Sequence, residues 1–222
     1  SLKMLRKVSK QLWGNKPLLG LIFVGSLSWV LTTIKNGIQS AYGLGFWGAH
    51  GHDAIWHLAL SKSIARGSFD MPTFSGNALQ NYHIGFDLIL GILSKTGINV
   101  SLWYFQILPV IFSISIGYLT YLFVKTWKKS ERAALLSVFF VYFAGSFGWI
   151  VTLLRGEGIG GDSMFWSQQS ISTLINPPFA LSLILLLSGL LLLLSYFKNN
   201  SKKALFGIFV VFALLFEIKA YA

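Results

Sequence analysis

Five long apolar segments, almost free of charge, limit what this chain can fold into. They cover about residues 17–34, 102–124, 133–154, 178–197 and 204–222. A helix needs about 20 apolar residues to cross a hydrocarbon core roughly 30 Å thick, and these segments approach that length. Only 11% of the residues are charged, whereas a soluble domain carries about 25%. We therefore predict an all-α fold, a polytopic membrane helix bundle with outer juxtamembrane helices.

The apolar segment 86–98 decides the topology, because it contains two charged residues and is too short to cross comfortably. If it stays on one side, the basic clusters in 1–16, 125–132 and 198–203 all face the same side. Basic loops are retained in the cytoplasm. We therefore expect a multi-pass protein of the cell membrane whose N-terminus is cytoplasmic.

This topology makes residues 1–222 a single membrane domain. The first outer loop, 35–101, is expected to contain the juxtamembrane helices, one of them at 86–98, and the second outer loop is 155–177. All the histidines and most of the acidic residues then lie on the outer side. Any chemistry is expected at the outer face.

The net charge of +11 does not indicate a nucleic-acid partner, because the basic residues form short clusters between apolar segments. Membrane lipid is the expected surrounding instead. The chain has no cysteine, which excludes disulfides and thiolate metal sites.

The densest group of reactive side chains is HGHDAIWH, residues 50–57. A helix that begins near Asp53 has an acidic residue in its first turn, where the helix dipole favours it. Asp53 and His57 then share one face at a spacing of four. They can act on a proton or a hydroxyl, and His52 is close enough in sequence to fold back onto them. The alternative is an N-capping Asp with interfacial His and Trp side chains.

A second pair, His83 and Asp87, stands four residues apart in NYHIGFD, at the start of the short outer helix. Imidazole and carboxylate suit several divalent cations, so Asp53, His57, His83 and Asp87 are a possible metal site. The spacing is not a zinc signature, and no cofactor is required by it.

Further side chains of the outer side suit a sugar or a phosphate. Amides hydrogen-bond hydroxyl groups, and cations bind phosphate. The amides are Gln168, Gln169 and Asn176, and the cations are Arg66, Arg155 and Lys219. Interfacial Trp, Arg and Lys side chains also serve as ordinary membrane anchors.

Three stretches resemble the membrane-embedded glycosyltransferases of the GT-C superfamily, particularly the dolichyl-phosphate-mannose and aminoarabinose transferases. GHDAIWHLALSKSI places a carboxylate, Asp53, shortly after the first span. NYHIGFDLILGILSKTGI stands where that family has a juxtamembrane helix. SLWYFQILPVIFSISIGYLTYLFVKTWKKSERAALLSVFF is similar to its next span, basic turn and following span. Relatives have more spans, so the chain is expected to be an N-terminal fragment.

The resemblance implies that a sugar moves from a polyprenyl-phosphate carrier to an acceptor at the outer membrane face. Asp53 would be the general base, with His57 beside it. The substrate-binding residues would come from His52, Arg66, His83, Asp87, Arg155, Gln168, Gln169 and Lys219. The sugar and the acceptor are not readable from the sequence.

Two other functions remain open at this point. A non-catalytic membrane scaffold would use the outer residues as interface anchors. A transporter would use the outer His/Asp pairs for a metal or a proton, and would place ionisable residues inside the spans. The first four predicted spans contain essentially none.

Overall fold

The computed structural model describes residues 14–51, 53–74, 76–145, 148–157 and 169–219, and most of them are helical. The helices are α1 (Lys16–Val30), α2 (Asp53–Ala65), α3 (Gly85–Ser94), α4 (Val100–Lys128), α5 (Glu131–Phe143), α6 (Gly148–Leu154), α7 (Gln169–Leu174), α8 (Pro177–Asn199) and α9 (Lys202–Ile218). An antiparallel hairpin of β1 (Ile38–Ser40) and β2 (Gly43–Gly45) follows α1. The prediction of a mainly α-helical chain is confirmed.

Local sequence explains where several helices begin and end. The Asn15 side chain accepts a hydrogen bond from the Leu18 amide at 3.1 Å and so caps α1. Ser130 caps α5 in the same way through the Ala133 amide, at 3.2 Å. Helix α4 ends at Lys128, and the next residue, Lys129, adopts the left-handed conformation that often terminates helices, with φ of 53°.

Within the described residues, α4 and α8 are long and apolar enough to cross a membrane, with 29 and 23 residues. The other predicted spans correspond to shorter helices. The first ends at Val30 and has 15 residues, and the last has 17. The helix expected at 133–154 stops at Phe143, since Ala144 is extended and glycine follows it.

Helices α1, α4 and α5 pack together around Tyr142. The buried positions of α1 are spaced as one helical face: Leu18, Ile22, Gly25, Ser26, Trp29 and Val30. Trp29 packs edge-on against the Tyr142 ring, with 5.3 Å between ring centroids. Its indole Nε1 also donates to the Tyr142 carbonyl at 3.0 Å. This contact joins the ends of α1 and α5.

One end of the bundle is held by a polar network around Glu131, the first residue of α5. Its carboxylate accepts hydrogen bonds from Asn15, before α1, and from Tyr121, in α4. Lys125 forms an ion pair with it. The start of α1, the end of α4 and the start of α5 therefore meet at this end.

The opposite end of the bundle is tied by Gln106, in α4. Its amide donates to the carbonyl oxygens of Ile34 and Asn36, at 2.7 and 2.8 Å. The Asn36 side chain in turn accepts from the Trp47 amide at 2.6 Å, which folds the β-hairpin loop back over α4. α1 and α4 are therefore antiparallel, and α2 and α3 lie at this end.

His50 is buried beside this loop, with 5% of its surface exposed, and it hydrogen-bonds the Thr32 backbone. Burial lowers its pKa below the ordinary value of 6.5, and the hydrogen bond offsets only part of this. The unfolded chain then binds more protons in acid than the folded chain does. Stability is therefore expected to fall as the pH drops through about 6.5 and below.

The measurement is the thermal unfolding midpoint in detergent between pH 7.5 and 5, for the wild type and His50→Gln. We expect the wild-type midpoint to fall more steeply with acid, because glutamine does not titrate. The other histidines contribute equally to both proteins. Equal slopes would contradict the assignment of this acid sensitivity to His50.

Candidate functional site

A cavity of about 490 Å³ opens where α2, α8 and α9 meet at the Gln106 end of the bundle. It lies among the start of α2, the segment before α3, the start of α8 and the end of α9. Its described polar lining is Asp53, His57, Tyr82, His83, Asn176 and Lys219, and its described apolar lining is Trp56, Pro178 and Ile218. Segments far apart in the sequence therefore build one concave, partly polar site.

Asp53 is the first residue of α2, as predicted, and is half-buried at the cavity wall. The Asn176 side chain, one residue before α8, donates a hydrogen bond from Nδ2 to Asp53 Oδ2 at 3.1 Å. The helix dipole favours the negative charge at this place. Asn176 thus holds the carboxylate in a fixed orientation at the cavity.

A buried pair lies behind the cavity. His57 Nδ1 and Asp87 Oδ1 are 2.9 Å apart, and the Asp87 side chain is fully buried. Ser61, one turn further along α2, donates from Oγ to the His57 carbonyl at 2.6 Å and to Asp87 Oδ1 at 3.3 Å. A buried carboxylate depends on hydrogen bonds. Asp87 Oδ1 lies within hydrogen-bond distance of His57 and Ser61, whereas Oδ2 has no hydrogen-bond partner among the described residues.

Two aromatic rings fix the plane of the His57 imidazole. Tyr104 stacks on it with 6.0 Å between centroids, and Phe86 meets it edge-on at 5.7 Å. Tyr104 belongs to a π-helical turn within α4, Trp103–Ile107. Such turns shift the helical register locally and are frequent at functional sites. The turn places Tyr104 under the cavity, and the imidazole has little rotational freedom.

The remaining walls are aromatic and cationic. Trp56 and Tyr82 meet edge-on at 5.6 Å, and His83 meets Phe216 of α9 at 5.8 Å. Lys219 follows the last residue of α9 and completes the lining. The cavity therefore combines ring faces and edges with a carboxylate and a cation.

Gly85 allows the end of α9 to approach the start of α3. A Cβ at this position would lie 3.1 Å from the Cγ atom of Glu217 and 3.2 Å from its carbonyl oxygen. An added Cβ would require these neighbouring atoms to move by a few tenths of an ångström. The small residue thus helps to close the cavity from the α9 side.

The structure brings together four of the predicted site residues, Asp53, His57, His83 and Lys219. The shared face of Asp53 and His57 is confirmed. Asp87 does not line the cavity, because its side chain is fully buried and bonds His57.

Other predicted substrate contacts lie elsewhere. Arg66 follows the far end of α2, about 20 Å from Asp53 by the rise of the helix. Arg155 and Gln169 are exposed and do not line the cavity. His52 and Gln168 fall outside the described residues.

The four possible metal ligands do not form one cluster. Among the described residues, no group of three or more His, Asp or Glu side chains is placed to hold a metal ion. His83 and Asp87 separate because α3 begins only at Gly85, so the helical spacing of four does not apply to them. Asp87 turns to His57, and His83 turns to Phe216.

Sequence reasoning missed Ser61, Tyr82 and Tyr104. Ser61 continues the face of Asp53 and His57 by one more helical turn, which is a readable signal. Tyr104 had no such signal, because its position depends on the π-helical turn. Asn176 was recognised as a suitable residue type, but its contact with Asp53 spans 123 positions of the chain.

Comparisons with known proteins identify no family for this chain. No protein-family model, no curated protein and no solved structure matches this chain. Function is argued from the geometry and chemistry of a site in any case, since one fold supports many activities.

Proposed function

We propose that this protein is a membrane-embedded glycosyltransferase of the GT-C type. It moves a sugar from a polyprenyl-phosphate carrier to an acceptor hydroxyl at the outer membrane face. The observation that carries the proposal is the placement of Asp53. This carboxylate is oriented by Asn176 on a cavity that also contains Lys219 and two aromatic side chains.

Exposed apolar side chains support a membrane location. Phe23 on α1 is 69% exposed, and Phe209 on α9 is 72% exposed. Apolar patches of this kind are rare on soluble monomers and common where lipid covers the surface. The two long apolar helices α4 and α8 fit the same location. The shorter helices α1, α5 and α9 complete a multi-pass bundle.

The positions of the lysine side chains support one orientation of the protein in the membrane. Lys125, Lys128 and Lys129 lie at the Glu131 end of the bundle, opposite the cavity. α8 begins beside Asp53 and, at 23 residues, carries its end about 34 Å away, next to further lysines. Basic clusters are retained inside, so the N-terminus is cytoplasmic and the cavity faces outward.

The orientation is testable because the chain has no native cysteine. Thr73→Cys places a thiol in an exposed part of the outer loop, and Lys203→Cys places one at an exposed position in the first turn of α9. In intact cells, a membrane-impermeant maleimide is expected to label only the first. Permeabilised cells, in which both are labelled, are the control. Labelling of Lys203→Cys alone in intact cells would invert the topology.

The cavity suits a sugar in size and character. Ligand pockets commonly measure 300–1,000 Å³ and combine apolar walls with a few placed polar groups, and this one is about 490 Å³. The rings of Trp56 and Tyr82 offer faces and edges to the apolar side of a sugar. Asn176 and His83 offer hydrogen bonds to hydroxyl groups.

The proposed reaction follows from the two charged groups. The Asp53 carboxylate accepts the proton of the acceptor hydroxyl, which is a poor nucleophile until a positioned base removes that proton. The oxygen attacks the anomeric carbon, and the carbon–oxygen bond to phosphate breaks with its electron pair remaining on the phosphate. Lys219 stabilises that developing negative charge. Attack opposite the leaving group inverts the anomeric carbon.

The experiment is a transfer assay with the full-length protein in membranes and a panel of polyprenyl-phosphate sugars. Each donor is tested with and without EDTA, which reports any need for a divalent cation. Donor-dependent transfer above that of empty membranes supports the proposal. Absence of transfer from every donor, with proton or metal flux in liposomes, would favour the transporter. Absence of both would favour the scaffold.

A further inference from the structure

The His57–Asp87 pair has a defined hydrogen-bonding direction. An ionised carboxylate only accepts hydrogen bonds, so beside an ionised Asp87 the hydrogen between His57 Nδ1 and Asp87 Oδ1 belongs to the imidazole. A neutral imidazole carries one hydrogen, which leaves Nε2 as a proton acceptor. Within the described part of the chain, Nε2 bonds no side chain, and His57 lines the cavity. A basic nitrogen is therefore presented at the site.

Neighbouring side chains restrain His57 and Asp87 in this hydrogen-bonded arrangement. Ser61 donates to Asp87 Oδ1, and Tyr104 stacks on the imidazole, so neither partner rotates freely. Asp87 is fully buried, and His57 is 5% exposed. An imidazolium formed by protonation at Nε2 would keep its Nδ1–H donor on the Asp87 carboxylate, so the two opposite charges would lie side by side, 2.9 Å from Nδ1 to Oδ1. Protonation of His57 at Nε2 is thus compensated by Asp87.

We propose that Asp87 is a positioning residue that holds His57 with Nε2 unprotonated, and that His57 receives the proton that Asp53 takes from the acceptor. This inference rests on the proposed function. Asp53 and His57 stand four apart on one face of α2, and both line the cavity. Their side chains are neighbours at that spacing.

Each proton transfer in this scheme has a donor and an acceptor. The hydroxyl gives its proton to the Asp53 carboxylate as the new carbon–oxygen bond forms and the bond to phosphate breaks. The proton then passes from Asp53 to His57 Nε2, which becomes an imidazolium beside Asp87, and it leaves to water through the cavity. Asp53 is an anion again before the next acceptor binds. Among the described residues, the other titratable groups around His57 are Tyr82, His83, Tyr104 and Lys219.

The first test reads the imidazole directly, without activity. The full-length protein is labelled with ¹⁵N-histidine, and the His57 signals are assigned by their loss in His57→Asn. We expect nitrogen shifts of a neutral ring with hydrogen on Nδ1. In Asp87→Asn the amide can donate, and the hydrogen is expected on Nε2. A wild-type ring with hydrogen on Nε2 would overturn the inference, whatever the protein catalyses.

The second test uses the transfer assay. Asp87→Asn is expected to lower kcat about 100-fold or more while KM changes little, the scale of a lost acid–base group. Asp70→Asn is the matched control, because Asp70 is exposed, bonds Ser68 and lies outside the cavity.

A third variant covers the case in which Asp87→Asn does not fold. His57→Asn keeps a donor beside Asp87 but removes Nε2, and the same loss of kcat is expected. Wild-type kcat in either variant would overturn the proton-accepting role. A third outcome is possible, in which NMR finds the hydrogen on Nδ1 but the wild-type protein transfers no sugar. In that case the His57–Asp87 geometry is correct, but its role in transfer and the proposed function are both overturned.

Discussion

Replacement of Asp53 by asparagine is expected to reduce sugar transfer by about 10²- to 10⁴-fold, the contribution of a positioned general base. The asparagine keeps the size of the side chain and an oxygen that accepts from Asn176. It cannot accept the proton of the acceptor hydroxyl. The loss should therefore appear in kcat, measured in membranes with the donor that the wild type uses, while KM for the donor changes little.

The control for this substitution is Asp70→Asn, which removes an exposed carboxylate away from the cavity. Its transfer rate should equal that of the wild type. Membrane abundance of both variants, measured by immunoblot, separates lost chemistry from lost protein. Undiminished transfer by Asp53→Asn would remove this residue from the mechanism and leave His57 as the base to be tested next.

The second large effect concerns stability. Gly117 of α4 faces the Tyr142 side chain so closely that an added Cβ would overlap the phenol oxygen and ring. Gly117→Ala is expected to lower the free energy of unfolding by about 1–3 kcal/mol, the usual cost of overpacking a core. Thermal or denaturant unfolding in detergent measures it. Gly20→Ala is the control, because Gly20 has open space around its Cβ position.

A double-mutant cycle identifies the cause. Tyr142→Phe removes the oxygen that meets Gly117 and that donates to the Ser113 carbonyl at 2.7 Å, at a cost of about 1 kcal/mol. If overlap with this oxygen is the reason, the double variant should lose less stability than the two single variants added together. Additive losses would show that the oxygen is not the cause, and would leave overlap with the Tyr142 ring carbons, 2.6 and 2.7 Å from the added Cβ, as the reason.

Local features of the sequence were sufficient to predict the mainly helical fold and the placement of Asp53 and His57 on one face of α2. Apolar length predicted the helices, because every backbone polar group in a membrane must be satisfied within its own segment. The polar start of α2 was readable because an acidic residue in the first turn is favoured by the helix dipole. From that start, the spacing of four placed His57 beside Asp53.

The rest of the site depends on contacts between distant segments. Asn176 meets Asp53 across 123 positions, and Asp87 meets His57 across 30. Neither contact leaves a periodic pattern in the sequence. Asp87 was paired with His83 on the assumption that one helix holds both, but the helix begins between them, at Gly85. Helix boundaries are the least readable part of a sequence.

The cavity takes its walls from the start of α2 and from Lys219, which follows α9. A nascent chain emerges from its N-terminus at about 5–20 residues per second. Asp53 is therefore in place many seconds before Ile218 and Lys219 are synthesised. During that interval the earlier segments can already pack, but the cavity lacks its α9 wall. The α9 wall of the cavity is therefore made after the other described walls, and a chain interrupted before α9 would have a cavity open on that side.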